Sequence, residues 1–331
     1  MTKRTRNSLL AAAGILLLAA GVTAAWGYYQ LLGRRLVMPA DTYIYIDRDD
    51  TPDSVVVKLQ HAGAGSTTTF RWLAQRRHYA DHLRTGRYRV RNGDNIYRLF
   101  NRLYRGEQSP VNLTIGSVRS LDRLAGSIGR RLMIDSVDIA PLLNDTMMSL
   151  FIPNTYEVYW NISAPELIRR MQREHDRFWT ADRRAKAQAL EMTPAEVSTL
   201  ASIVAEETND NAEKPTVAGL YINRLRRGMP LQADPTVKFA LQDFTLRRVL
   251  NEHLQVDSPY NTYLYRGLPP GPIRIPTPVD IDAVLDYRRH NYLYMCAKED
   301  FSGSHNFATN LADHLRNARR YQQALNARRI Y

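Results

Sequence analysis

A single cysteine, Cys296, in a chain of 331 residues excludes an intramolecular disulfide framework and any paired-cysteine metal or redox site. The metalloprotease pattern HExxH is absent, as are the serine-hydrolase GxSxG, the phosphate-binding Walker A and the dinucleotide-binding GxGxxG. The 8 histidines fall without metal-ligand spacing, so no metal and no cofactor is expected. Low-complexity stretches and exact repeats are also missing. Acidic residues are in deficit: 33 Asp and Glu against 45 Lys and Arg leave a net charge of +12. That balance points to a polyanionic partner, whether nucleic acid, an anionic bilayer or an acidic polymer. The remaining composition, 44% hydrophobic and 24% charged, is ordinary for globular chains and rules out collagen-like or wholly disordered architectures. At roughly 150 residues per domain, the length suggests about two domains.

One long apolar run is present. Lys3, Arg4 and Arg6 precede a stretch from Leu9 to about Tyr29 that carries no charge. Its length meets the ~20 residues that a ~30 Å hydrocarbon core requires. A cleaved signal peptide, with Thr23-Ala24-Ala25 as cleavage site, would have an apolar region of only ~7–15 residues. The run therefore reads as an uncleaved anchor over residues 8–29 behind a cytoplasmic tail of residues 1–7. The basic residues before the span keep the N-terminus inside and send the rest of the chain across the membrane; Arg34 and Arg35 blunt that asymmetry without reversing it. This topology argues against a nucleic-acid partner.

Beyond the anchor the pattern is mixed α+β. Thr42 to Ile46 and Ser54 to Leu59 are rich in β-branched and aromatic residues and read as two strands around Asp47-Arg48-Asp49-Asp50. His61 to Ser66 reads as a turn, and Phe70 to Leu83 as a helix. Tyr88-Arg89-Val90 predicts a strand, Asn92-Gly93 a turn, and Asp94 the N-cap of a helix. In that helix Ile96, Leu99, Phe100 and Leu103 share one face, and Gly106 stops it. A second strand-then-helix unit follows, with Val111 to Ile115 ahead of Leu121, Leu124, Ala125 and Ile128. The halves divide near residues 108–116. A polar, Arg-rich helix from about Ala308 to Arg329 closes the chain.

The sharpest local signal starts at Thr193-Pro194-Ala195-Glu196, a capping box with proline at the first helical position. Val197, Leu200, Ile203 and Val204 then mark the buried face, and the same spacing brings Glu207 onto it near the helix end. Glu206 lies about 100° away and reads as a solvated flank charge. Burial and the negative end of the helix both raise a carboxyl pKa, which is the environment of a general acid at neutral pH. The bland alternative pairs Glu207 with a buried Arg224 or Arg226. Downstream, Val217, Leu220, Tyr221 and Leu225 form another helical stripe. Asp234, before Pro235, reads as a helix cap or as a sugar-binding or water-positioning carboxylate. Tyr260-Asn261-Thr262-Tyr263 combines aromatic rings with amide and hydroxyl donors suited to pyranose rings, or simply packs a loop. His305, within Ser304-His305-Asn306-Phe307, reads as structural.

In order, Phe151-Ile152-Pro153-Asn154-Thr155-Tyr156, Leu200 to Thr208, Ile222-Asn223-Arg224-Leu225, Leu231 to Val237, Tyr260 to Tyr263, Gly267 to Ile273 and His305-Asn306-Phe307 resemble the YceG-like family of endolytic murein transglycosylases. The resemblance implies a single-pass inner-membrane enzyme that cuts nascent peptidoglycan glycan strands internally. Cleavage of the β-1,4 bond after N-acetylmuramic acid would leave a 1,6-anhydro end, with peptidoglycan synthases as further partners. The family's catalytic glutamate, which precedes Thr, maps onto Glu207, although Ala205 and Glu206 stand where Glu and Lys are common. Asn223, Gln232, Asp234, Tyr260 and Asn261 become candidate substrate-binding residues. Tyr88 to Asn95 resembles the opening of a LysM repeat, so residues 40–110 are expected to form a small LysM-like α/β subdomain and 111–331 a larger mixed α+β catalytic domain. Two rival readings remain: a membrane-anchored hydrolase with Glu207 as acid and Asp234 as base, and a non-enzymatic peptidoglycan-binding scaffold.

Overall fold

The computed structural model describes residues 3–33, 35–38, 40–65, 67–246 and 248–328. Arg34 and Arg329, and the last residue of the expected turn, Ser66, lie outside these. The chain divides into two compact units. One comprises residues 1–112 with 131–133 and 157–162, and the other residues 113–130, 134–156 and 163–331.

The first unit begins with α1 (Lys3–Tyr28), continued by one wide turn over Tyr29–Gly33. Within it, Leu10–Gly33 is long and apolar enough to cross a membrane. Strand β1 (Thr42–Ile46) leads to α2 (Pro52–His61) and α3 (Thr68–Arg76), and β2 (Gly86–Val90) returns antiparallel to β1, Thr42 facing Val90 and Ile46 facing Gly86. The expected strand at Ser54 to Leu59 is helical instead. Thr51 and Ser54 close a capping box around Pro52, and Val55, Val56 and Leu59 meet the core at helical spacing. The β-branched composition was outweighed by the cap. The helix expected over Phe70 to Leu83 ends at Arg76; His78 turns left-handed and Tyr79–His82 forms a single 3₁₀ turn.

Helix α4 (Ile96–Arg105) buries Ile96, Leu99, Phe100 and Leu103, and Gly106 ends it with φ +70°. Its N-cap is Asn95, whose side chain accepts from the Arg98 N–H, and not Asp94. Asp94 instead takes Arg102 at 2.7 Å, and its carbonyl accepts from the Leu36 N–H. An aromatic cluster of Phe70, Tyr79 and Phe100, with centroids 5.6–5.9 Å apart, fills the centre of this unit.

Strand β3 (Val111–Ile115) precedes α5 (Leu121–Gly129) and α6 (Ser136–Ile139), and β4 (Asn154–Val158) pairs with β3. Helices α7 (Ala164–Phe178) and α8 (Ala181–Ala189) lead to α9 (Pro194–Glu207), followed by α10 (Lys214–Arg226), α11 (Asp234–Leu241) and α12 (Pro278–Leu285). A hairpin of β5 (Tyr294–Ala297) and β6 (His305–Ala308) carries α13 (Leu311–Ala327), so Ala308 belongs to a strand and not to the final helix.

Helix α9 starts at the Thr193–Glu196 capping box, as its sequence predicts. It is packed by α8, α10, α11 and α12, and every residue from Val197 to Ala205 is buried. Polar residues tolerate that burial because their hydroxyls return to the helix's own carbonyls: Ser198 to Pro194, Thr199 to Ala195, and Ser202 to Thr199. The Ser202 hydroxyl also accepts from the Ile273 N–H, fixing the proline-rich loop to the helix.

Candidate active site

Glu207 is the last residue of α9 and lines a cleft of about 260 Å³ in the second unit. Tyr221 on α10, itself buried, donates its hydroxyl to Glu207 Oε1 at 2.7 Å. This bond commits Oε1 as an acceptor and leaves Oε2 to carry the proton of the neutral acid. Burial pushes the Glu207 carboxyl up from 4.5 to about 7; the Tyr221 bond opposes the rise, as does His305, while Asp234 and Glu206 add to it. No cation pairs with Glu207 among the described residues. Neither Arg224 nor Arg226 reaches it in the way the bland alternative supposes.

Arg224 has a different task. At 7% exposure, its guanidinium donates to the Leu293 carbonyl at 2.6 Å, the Leu231 carbonyl at 2.7 Å and the Pro230 carbonyl at 3.3 Å. It thereby ties α10 to the residue just before β5 on one side and to the loop before α11 on the other. Arg226 is exposed and meets the Tyr287 hydroxyl.

Glu206, read from the sequence as a solvated charge, is drawn in. Its side chain is 12% exposed and accepts a bidentate pair from Arg119 at 2.7 and 2.8 Å, with Arg274 at 3.0 Å. The helix geometry did set the two glutamates apart, but by partner and not by exposure. One is neutralised by two arginines and the other faces the cleft without any.

Gln232 and Asp234 both line the cleft. Gln232 holds a left-handed backbone at φ +52°, fixed by its N–H to the Thr262 carbonyl, and its Oε1 accepts from Arg224 at 3.4 Å. A non-glycine residue in that region is strained, a feature that concentrates at working sites. Asp234 is not the cap of α11. Ala233 occupies that position, and Asp234 opens the helix with its carboxylate taking the Tyr263 hydroxyl at 2.6 Å. Burial and this bond keep the Tyr263 phenol protonated.

The other three candidates lie off the cleft lining. The Asn223 amide donates to the carbonyls of His290 and Tyr292 at 2.7 and 3.0 Å. Asn261, fully buried, donates to Leu254 and Val256 carbonyls and accepts from the Tyr263 N–H. Tyr260 is buried against Phe239, ring centroids 4.6 Å apart. Three further residues line the cleft. Tyr221 reads from the sequence only as part of a helical stripe, Tyr263 belongs to the tetrapeptide that suits pyranose rings or packs a loop, and His305 reads as structural. The sequence clue to His305 is its place in the His305-Asn306-Phe307 segment of the family resemblance, which says nothing of what it meets. Among the described residues no group of three His, Cys, Asp or Glu side chains could hold a metal ion.

Residues 44–320 match the YceG-like family. The chain is 38% identical over 128 residues to an endolytic murein transglycosylase of Bacillus subtilis (strain 168), covering 39% of this chain and 35% of the relative. It is 25% identical over 348 aligned positions to an endolytic murein transglycosylase of Streptococcus pneumoniae serotype 2 (strain D39), covering 91% of this chain and 62% of the relative. The chain thus spans less than two-thirds of either curated relative. A 2.6 Å crystal structure of a yceG-like protein from Listeria monocytogenes shares the fold, with a TM-score of 0.54 at 24% identity over 84% of this chain and 99% of that one.

Proposed function

The chain belongs to the YceG-like family, and from that premise we propose that it is an endolytic lytic transglycosylase of peptidoglycan with Glu207 as its one acid–base group. The observation that carries the reading is a carboxyl with a pKa of about 7 on the lining of an open cleft, with no cation paired to it among the described residues. Such a group is protonated often enough to act as an acid at neutral pH, yet basic enough to recover the proton. The murein named by the curated relatives supplies the substrate class.

In this mechanism Glu207 gives its proton to the glycosidic oxygen while the bond from that oxygen to C1 of N-acetylmuramic acid breaks. The resulting carboxylate then takes the proton of the same sugar's C6 hydroxyl as O6 bonds to C1, and the 1,6-anhydro ring closes. Glu207 ends protonated, no water is consumed, and the nucleophile is tethered to the reacting sugar. Gln232, Asp234 and Tyr263, which line the cleft, would meet sugar hydroxyls. Asn223, Tyr260 and Asn261, whose side chains serve backbone carbonyls or packing, shape the surrounding loops.

The hydrolytic alternative needs Asp234 to activate a water. Tyr263 already occupies one oxygen of that carboxylate, which favours the transglycosylase reading. Mass spectrometry of uncrosslinked glycan digested by the full chain in detergent separates the two. New ends lighter by one water than reducing ends are expected, and reducing ends alone would assign a hydrolase. Cleavage should also hold at acidic pH and decline as pH rises through about 7, because the donor then loses its proton. Initial rates across that range check this.

The apolar N-terminal helix serves in this proposal as a single-pass anchor. Lys3, Arg4 and Arg6 remain in the cytoplasm, and the chain beyond the span stands outside. Trp26, Tyr28 and Tyr29, all exposed at the far end of the helix, suit the outer headgroup level. Residues 40–110 would act as a LysM-like glycan-binding subdomain and 111–331 as the catalytic domain. Synthases extending the same strand would be natural partners.

A further inference from the structure

His305 enters the same cleft from β6 and is held there by a dedicated partner. Glu213, buried at the N-cap of α10, accepts the His305 backbone N–H at Oε1 and the imidazole Nδ1–H at Oε2, both at 2.8 Å. Two bonds to one carboxylate fix the ring's position and tautomer. Both oxygens of that carboxylate are thereby given to His305. Nε2 is left without a protein partner among the described residues, in a side chain that lines the cleft alongside Glu207.

We propose that the Glu213–His305 pair is a positioning device for Glu207, presenting an imidazolium to the cleft that stabilises the carboxylate left when Glu207 gives up its proton. This rests on the acid–base role of Glu207 set out above. No proton passes through His305: the proton leaves Glu207 for the glycosidic oxygen and returns from the C6 hydroxyl. The imidazolium only lowers the cost of the interval between, when a carboxylate stands beside Asp234. The other titratable and charged groups facing the ring are Asp234, Tyr221, Tyr263, Arg224 and Cys296 on the cleft. On the hairpin's outer side, Arg320 meets Glu299, which also accepts from Asn306. Of the cleft cations, Arg224 is spent on backbone carbonyls, so His305 is the one whose ring edge is uncommitted.

The test is the alkaline limb of the pH–rate profile of the full chain on uncrosslinked glycan. His305→Gln is expected to lower the plateau rate about ten- to a hundredfold. It should also move the limb to higher pH and make it shallower, because Glu207 loses a neighbouring positive charge and one proton requirement disappears. Glu213→Gln is expected to move the limb the opposite way, since the ring then loses the carboxylate that faces its Nδ1. His305→Lys, which returns a cation, should recover part of the plateau. If both variants lose rate with the limb unmoved, the pair is only structural and the inference fails. If near-ultraviolet circular dichroism shows either variant misfolded, the unmodified chain decides. The titration of the His305 ring nitrogens should appear in the Glu207 carboxyl ¹³C shift, and independent titrations overturn the proposal. Should Glu207→Gln itself cleave normally, the acid–base reading has failed instead.

Discussion

Glu207→Gln is expected to reduce strand cleavage by about a thousandfold while leaving the fold intact. The amide keeps the volume and still accepts the Tyr221 hydroxyl, so the α9–α10 contact survives. What it lacks is a proton it can release and recover. The same substitution carries a stability signature that a surface glutamate would not give. In the folded chain the carboxyl rises from its usual 4.5 to about 7, so the native state binds the proton more tightly than the unfolded state. Its favourable contribution is complete below about 4.5 and is lost as pH climbs to about 7, a difference of about 3 kcal/mol at most. Glu207→Gln should therefore raise the melting temperature at about pH 8 and leave it nearly unchanged at about pH 4. Scanning calorimetry at the two values, with product analysis alongside, reads both effects. A variant that cleaves at the native rate removes Glu207 from the mechanism.

Arg224→Lys, conservative by charge, should be nearly as damaging to the fold as Glu207→Gln is to the chemistry. The guanidinium bonds carbonyls on two separate segments, and its planar fork meets them from different nitrogens. A lysine ammonium on a shorter reach can serve one segment and leave the other's carbonyls buried without a donor. Charge-assisted bonds of this kind are worth about 1.5–3 kcal/mol each, and each stranded acceptor costs more, so a loss of about 3–4 kcal/mol is expected. Thermal melting measures it. Because the Leu231 carbonyl adjoins Gln232, cleavage should fall with it even below the melting temperature.

The parts of this molecule legible in the sequence were those written in local grammar. The Thr193 capping box, the buried face of α4 and the glycine that stops it depend on neighbours within a few positions, and the structure has all three. Where two local rules competed, composition misled: Val55 and Val56 suggested a strand, but Thr51, Pro52 and Ser54 had already committed the backbone to a helix. The cap reading of Asp234 and the solvated reading of Glu206 failed for another reason. Their partners, Tyr263 on one side and Arg119 and Arg274 on the other, are brought in by tertiary folding from distant segments. No periodicity announces them. His305 was undervalued on the same ground, since Glu213 lies far from it in sequence and their approach depends on the hairpin meeting the start of α10.

Enclosure of α9 on all sides has a consequence for how such a chain diversifies. A helix whose residues Val197 to Ala205 are all buried cannot be retuned without disturbing several neighbours at once, so the proposed proton donor at its tip is held as a fixture. Under the proposed function, preference for one saccharide pattern over another would fall to the segments around Gln232 and Tyr263, which line the same cleft from outside the helix. Mutational libraries aimed at new wall chemistries should be drawn from those borders and should spare the helix.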